Sequence, residues 1–177
     1  GVHVVEMTGQ PQIERKNDEN SPKIVTPMTK NEVLRGIFNL KTDAKSGIVV
    51  QLQSKVILKI YPDTEVEFPY VRWETGDFDT LNLKRGRLRW QSEVASPIIL
   101  KSDLFQVKPS AGVFTFDYRP ENPKIEVFAL EGEIPFSEMN GEEAVILKAG
   151  EKVHFTGKLE DGEIAYDVLL KGRKIPQ

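Results

Sequence analysis

Leu81-Asn82-Leu83-Lys84-Arg85-Gly86-Arg87-Leu88-Arg89-Trp90 places apolar side chains at alternate positions, breaks the pattern with a glycine, and resumes it on the opposite parity. Period two marks a half-buried strand, and a glycine between two such runs supplies the positive φ that a sharp change of direction requires. The motif recurs from Val33 to Phe38 around Gly36, from Val127 to Phe136 around Gly132, and from Val145 to Phe155 around Gly150. Read as a two-residue hairpin, Arg85-Gly86 sets Leu83 opposite Leu88 and Leu81 opposite Trp90. Glu131-Gly132 likewise sets Ala129 opposite Ile134 and Val127 opposite Phe136. Asn140-Gly141 is the strongest hairpin signal, because both residues tolerate positive φ, and it sets Phe136 opposite Val145 and Ile134 opposite Leu147. Continuing that face puts Leu147 opposite Val153 and Val145 opposite Phe155, which needs a three-residue connection or a bulge at Ala149-Gly150-Glu151. Arg-Gly, Glu-Gly and Ala-Gly lack the Asn or Asp preferred at the first position of a type I′ turn, so these glycines also suit the corners of a solenoid.

Outward from these stretches, Val2 to Val5 and the surroundings of Ile13 read as strands, separated by a turn over Met7 to Pro11. Val50, Leu52, Val56, Leu58 and Ile60 share one parity; Tyr61-Pro62-Asp63-Thr64 interrupts them, and Val66 and Phe68 resume. The polar, proline-broken run from Glu14 to Asn31 is expected to be a long surface loop. Eleven prolines spread from Pro11 to Pro176 leave few windows for a helix, so helix is expected to be minor and confined to the region of Lys30 to Leu34. The expected fold is all-β: one domain over residues 1–177, built of antiparallel hairpins as a twisted β-sandwich or a solenoid-like winding.

Composition bounds the function. At 177 residues and 39% hydrophobic the chain suits one domain with a real core. A net charge of −3 gives no reason to expect a nucleic-acid partner. No apolar run approaches the roughly 20 residues of a membrane span. Opening on Gly1 rather than methionine, the chain is expected to be trimmed, with any membrane anchor removed. Zero cysteines exclude disulfides, thiolate metal sites and cysteine nucleophiles.

The stretches Leu40-Lys41-Thr42, GIVVQLQSKVILKIYPDTEVEF, LNLKRGRL, VKPSAGVFTFDY, IEVFALEGEI and VILKAGEKV together resemble the FecR domain family over residues 34–155. That family's pattern has a threonine before the first long hairpin, a Leu-x-Leu-x-x-Gly strand pair, and terminal Glu-Gly and Ala-Gly-Glu turns. Two positions depart from it: Ser54-Lys55 stands where Asp-Gly is usual, and Gly112-Val113-Phe114-Thr115-Phe116 only approximates Gly-Thr-x-Phe. The resemblance implies a non-catalytic binding or signalling module outside the cytoplasm of Gram-negative bacteria, in the periplasm. Its partner would be an envelope protein or peptidoglycan. Some members of the family pass an iron-uptake signal to a sigma factor; others are exported domains that stand alone or beside a wall-binding module, and this chain looks closer to the second kind.

Chemistry supports no catalytic residue, metal ligand or cofactor. His3 and His154 are the two histidines, without the spacing of a metal site, and His154 is expected to point away from the face of Val153 and Phe155. No serine sits in a nucleophile elbow, and no glycine-rich stretch has the context of a phosphate loop. Glu74, Asp77 and Asp79 cluster with Trp73 and Phe78, which keeps open a carbohydrate-active enzyme on a β-sandwich, or a sugar- or calcium-binding loop. The competing reading is an exposed loop whose aromatics fold back on the sheet. Candidate binding residues are therefore Tyr70, Trp73 and Phe78, together with a basic row of Arg85, Arg87 and Arg89; the turn positions are Gly36, Gly86, Gly132, Gly141 and Gly150. The arginine row equally suits a solvated sheet face or a charge-protected edge.

Overall fold

The computed structural model describes residues 1–103, 105–121, 123–138, 144–160, 163–170 and 173–174. The strands are β1 (Val2–Thr8), β2 (Gln12–Lys16), β3 (Ile24–Pro27), β4 (Val33–Leu34), β5 (Gly36–Lys41) and β6 (Gly47–Gln51). Next come β7 (Ile57–Ile60), β8 (Glu65–Val71), β9 (Thr80–Ser92), β10 (Ile99–Lys101), β11 (Phe105–Val107) and β12 (Gly112–Arg119). The last are β13 (Lys124–Gly132), β14 (Ile134–Glu138), β15 (Ala144–Leu147), β16 (Lys152–Glu160), β17 (Glu163–Leu170) and β18 (Arg173–Lys174). Helix among the described residues is one 3₁₀ turn, Gln53–Lys55. No described helix is long and apolar enough to cross a membrane.

Pairing divides the strands between two sheets that share β9. The first runs β4-β1-β6-β7-β9-β12-β13-β16-β17-β18 and the second β3-β2-β5-β8-β9-β10-β11-β14-β15. All pairs are antiparallel except β9 with β10. The chain winds between the sheets, and the inward residues of both merge into one apolar core. Within it Phe38 stacks on Phe68 at 4.8 Å, Phe105 on Phe116 at 6.0 Å, and Trp90 is fully buried. Strand alternation produces this directly, as β5 and β9 bury every second side chain.

The glycine motifs are corners, not hairpins. β9 runs without reversal through Gly86, at φ +97°. Before the glycine Leu83 lies opposite Val66; after it Leu88 lies opposite Ile60 and Phe116, so the expected pairs Leu83/Leu88 and Leu81/Trp90 do not form. Gly36 and Gly132, at φ +87° and +79°, likewise carry the chain from the first sheet into the second. Ala129 therefore pairs with Phe114, and Val127 with Phe116 and Val153, instead of with Ile134 and Phe136. At Gly150, φ +83°, the chain crosses back, and Leu147/Val153 and Val145/Phe155 are not partners. A hairpin and a corner both require the buried parity to switch across the glycine, which is why alternation alone fits either. The type I′ hairpin also needs positive φ at the residue before the glycine, and neither Arg85 nor Glu131 has it.

Between β14 and β15 the expected register holds, with Ile134 opposite Leu147 and Phe136 opposite Val145. The Asn140-Gly141 turn itself lies outside the described residues. Two other expectations are corrected. Glu14 to Asn31 is not one loop, because Gln12–Lys16 and Ile24–Pro27 pair as strands, and Lys30 to Leu34 contains β4 where a helix was expected. Both segments are too short and polar for periodicity to reveal; their cross-strand partners make them strands.

The outer face of the second sheet is laced with ion pairs. Lys41 Nζ lies 2.8 Å from Glu14 and 3.0 Å from Glu65, and Lys23 lies 3.4 Å from the other oxygen of Glu14. The hydrogen bond from Lys41 holds the Glu14 carboxyl below its ordinary value, against the opposing effect of burial. A depressed carboxyl contributes stability that is present above the unfolded value of about 4.3 and is lost as pH falls through the folded one. The parent's urea midpoint should therefore drop more steeply below about pH 5 than that of Glu14→Gln; superimposable acid profiles would show that this pair contributes nothing.

Candidate binding surface

Loop 72–79 joins β8 to β9 beside the Gly36 corner. It closes on itself, the Arg72 N–H donating to the Asp77 carbonyl at 2.9 Å and the Gly76 N–H to the Arg72 carbonyl at 2.8 Å. The Gln53 side chain then grips its far end, donating to the Phe78 carbonyl at 2.7 Å and accepting the Phe78 N–H at 3.1 Å. That grip turns the Phe78 ring into the core, edge-on to Phe68 at 5.4 Å. Phe78 is 1% exposed, so it belongs to the core and offers no contact surface, contrary to its assignment as a binding residue.

Tyr70 and Trp73 point the other way, at 49% and 58% exposure. Trp73 is backed by the chain: a Cβ on Gly36 would stand 2.7 Å from its Cζ2, and Arg35 donates to its carbonyl. Gly36 thus serves both as a corner and as the bare floor on which the indole lies. An exposed indole held in this way presents area at little entropic cost. Glu74, Asp77 and Asp79 are exposed on the same loop, and Asp79 pairs with Arg72 at 3.2 Å. Cavities of about 380, 320 and 570 Å³ open elsewhere and draw no residue from 70–79. Among the described residues no group of three or more His, Asp or Glu could hold a metal ion.

The arginine row is divided by the Gly86 corner. Arg85 lies opposite Glu65 and pairs with Glu121 at 2.6 Å. Arg87 and Arg89 lie on the outer face of the first sheet, opposite Asp117 and Thr115 on β12. Arg87 Cζ and Lys59 Nζ sit 5.1 and 5.0 Å from the centroid of the Tyr61 ring. Asp117 pairs with Arg119 at 3.0 Å, and Glu126 with Lys152 and, at 3.8 Å, with His154. His154 lies opposite Glu126, and burial, then Lys152 and Lys124, hold its imidazole below the ordinary value. Sequence reasoning missed Lys59 and Tyr61, whose closeness to Arg87 depends on the pairing of β7 with β9.

At the opposite end of β5, threonines tie the corners together. Thr42 Oγ1 donates to the Tyr61 carbonyl at 2.7 Å and accepts the Thr64 N–H at 2.9 Å. Thr64 Oγ1 donates to the Pro62 carbonyl at 3.1 Å and accepts the Arg87 N–H at 2.9 Å. Thr64 is 2% exposed, and Thr64→Val leaves the part-buried Arg87 N–H without its hydroxyl acceptor. The expected loss is about 2 kcal/mol, read as a lower urea midpoint with faster hydrogen exchange at the Arg87 amide. An unchanged midpoint with full protection of that amide would rule out the hydroxyl as its acceptor.

The architecture is similar to that of two crystal structures, each described as a "putative anti-sigma factor from Parabacteroides distasonis". TM-scores are 0.57 and 0.56 at 16% and 14% identity, over 73% and 72% of this chain. The matched region spans 59% and 58% of those structures, so the likeness is one of fold over little more than half their length. No family model and no curated protein matches the chain.

Proposed function

We propose that this chain is a non-catalytic binding module of the FecR type, acting outside the cytoplasm in signal transmission, and that it engages an envelope protein through the Trp73 corner. The observation that carries the reading is the exposed indole held against Gly36, with exposed Tyr70 three residues before it. Exposed tryptophan and tyrosine on a fixed backbone have the chemistry of interface anchors. The likeness in fold to structures described as anti-sigma factors supports a regulatory role and favours a protein partner over a wall polymer. The carboxylates of residues 74–79 sit on an exposed loop, and none of the cavities of about 380, 320 and 570 Å³ draws on it, which weighs against a glycosidase.

The test is retention of immobilised protein on envelope extract and on isolated peptidoglycan. Trp73→Ala should weaken capture of the envelope protein about ten-fold or more, the usual size of a tryptophan anchor. Raised ionic strength should have little effect, because stacking is not screened. The reading fails if capture is undiminished by Trp73→Ala, or if peptidoglycan is retained and no protein is. Loss of capture in an Arg85, Arg87, Arg89 triple alanine variant, with a steep salt dependence, would move the site to the arginines.

A further inference from the structure

An open groove of about 380 Å³ lies on the first sheet between the ends of β1, β6 and β7. Val49, Tyr61 and Pro62 contribute its outward apolar wall, and Lys45 and Lys59 its rim; Met7, opposite the buried Ile48, packs against the core instead. Arg87 borders it through the Tyr61 ring. Glu6 is its single lining carboxylate. Glu6 makes no ion pair among the described residues, whereas the other acids near Arg87 are paired, Asp117 with Arg119 and Glu126 with Lys152. Lys59 and Arg87 have no carboxylate within ion-pair distance among the described residues; they converge on one aromatic ring instead. In a chain of net charge −3 this is a local excess of positive charge beside an apolar wall.

We propose that this groove binds an acidic, aliphatic peptide segment, its carboxylates meeting Lys59 and Arg87 and an aliphatic side chain resting against Val49 and Pro62. Charge complementarity selects the acid, since each unpaired cation gains a partner that no neighbour supplies. The apolar wall selects a peptide over a glycan. A sugar would need a bare aromatic face to stack on, and the one ring present already carries two cations. The groove is separate from the Trp73 corner. β5 runs between them, with Gly36 against Trp73 at one end and Thr42 bonded to the Tyr61 carbonyl just beyond the other. Each site can therefore fail its test without the other.

The experiment titrates ¹⁵N-labelled protein with acetyl-Glu-Leu-Glu-Leu-Glu-amide. Amide shifts should move at residues 45–49, 59–61 and 87–89, and Lys59→Gln combined with Arg87→Gln should raise Kd about ten-fold. Both side chains are exposed or bordered by solvent, so the double variant keeps its fold; Val49→Glu, which puts a carboxylate into the groove itself, should weaken binding similarly. Lys84→Gln, on the other sheet, should leave the titration unchanged. The proposal is overturned if the shifts fall elsewhere or are absent, or if acetyl-Gln-Leu-Gln-Leu-Gln-amide produces the same response. It is also overturned if inorganic phosphate or a soluble peptidoglycan fragment matches the acidic peptide at these residues, since the site would then be a general anion site or a wall site.

Discussion

Gly86→Ala is expected to cost about 2–5 kcal/mol, a large part of the roughly 5–15 kcal/mol that holds a domain folded. Two effects add. At φ +97° an L side chain is strained by about 1–2 kcal/mol. Its Cβ would also stand 2.5 Å from Thr64 Cα and 2.2 Å from Thr64 Oγ1, so either the corner or the buried threonine network has to move, at a further cost of about 1–3 kcal/mol. Gly150→Ala separates the two effects. Its φ is +83°, but no described residue lies within 4 Å of the added carbon, so only the strain of about 1–2 kcal/mol is expected. Paired urea melts check this. Equal losses for the two variants would mean that Gly86 is an ordinary turn residue and that the close approach of the two corners is wrong.

Gly132→Val is expected to be at least as damaging. Gly132 lies opposite Gly112, and the two backbones approach where neither has a side chain. A Cβ on Gly132 would meet the Ala111 carbonyl oxygen at 2.3 Å, and that oxygen belongs to backbone that no rotamer change can shift. A β-branched residue at φ +79° adds strain of its own. The combined loss should be about 4 kcal/mol or more, lowering the melting temperature by roughly 8–16 °C at 2–4 °C per kcal/mol. Lys124→Ala, a change at a half-exposed side chain on the same strand, should stay within about 0.5 kcal/mol. Matching melting temperatures for the two variants would contradict the corner.

Which side chains face the core was legible in the sequence. Leu81, Leu83, Leu88 and Trp90 are buried, and the register of β14 with β15 follows the alternation around Asn140-Gly141. Which strand lies beside which was not legible. Alternation reports the buried side of a strand and carries nothing about its neighbour, so one pattern around Gly86 served both for a hairpin and for a corner between sheets. The same limit governed the candidate site. Trp73 and Phe78 look alike in a polar, glycine-containing loop, yet the amide of Gln53, far away in sequence, turns Phe78 inward and leaves Trp73 outside. The Thr42 and Thr64 hydroxyls and the meeting of Lys59, Tyr61 and Arg87 likewise depend on contacts between distant strands. No local motif encodes them.

The Trp73 corner as the surface that holds an envelope protein is tested most directly by a photo-crosslinker, p-benzoylphenylalanine, placed at Tyr70 and irradiated in envelope extract. The expected result is one discrete protein adduct that persists at high salt, disappears when Trp73→Ala is added, and is not formed when the crosslinker is placed at Lys84. An adduct pattern at Tyr70 that Trp73→Ala leaves unchanged, or that matches the pattern from Lys84, would contradict it.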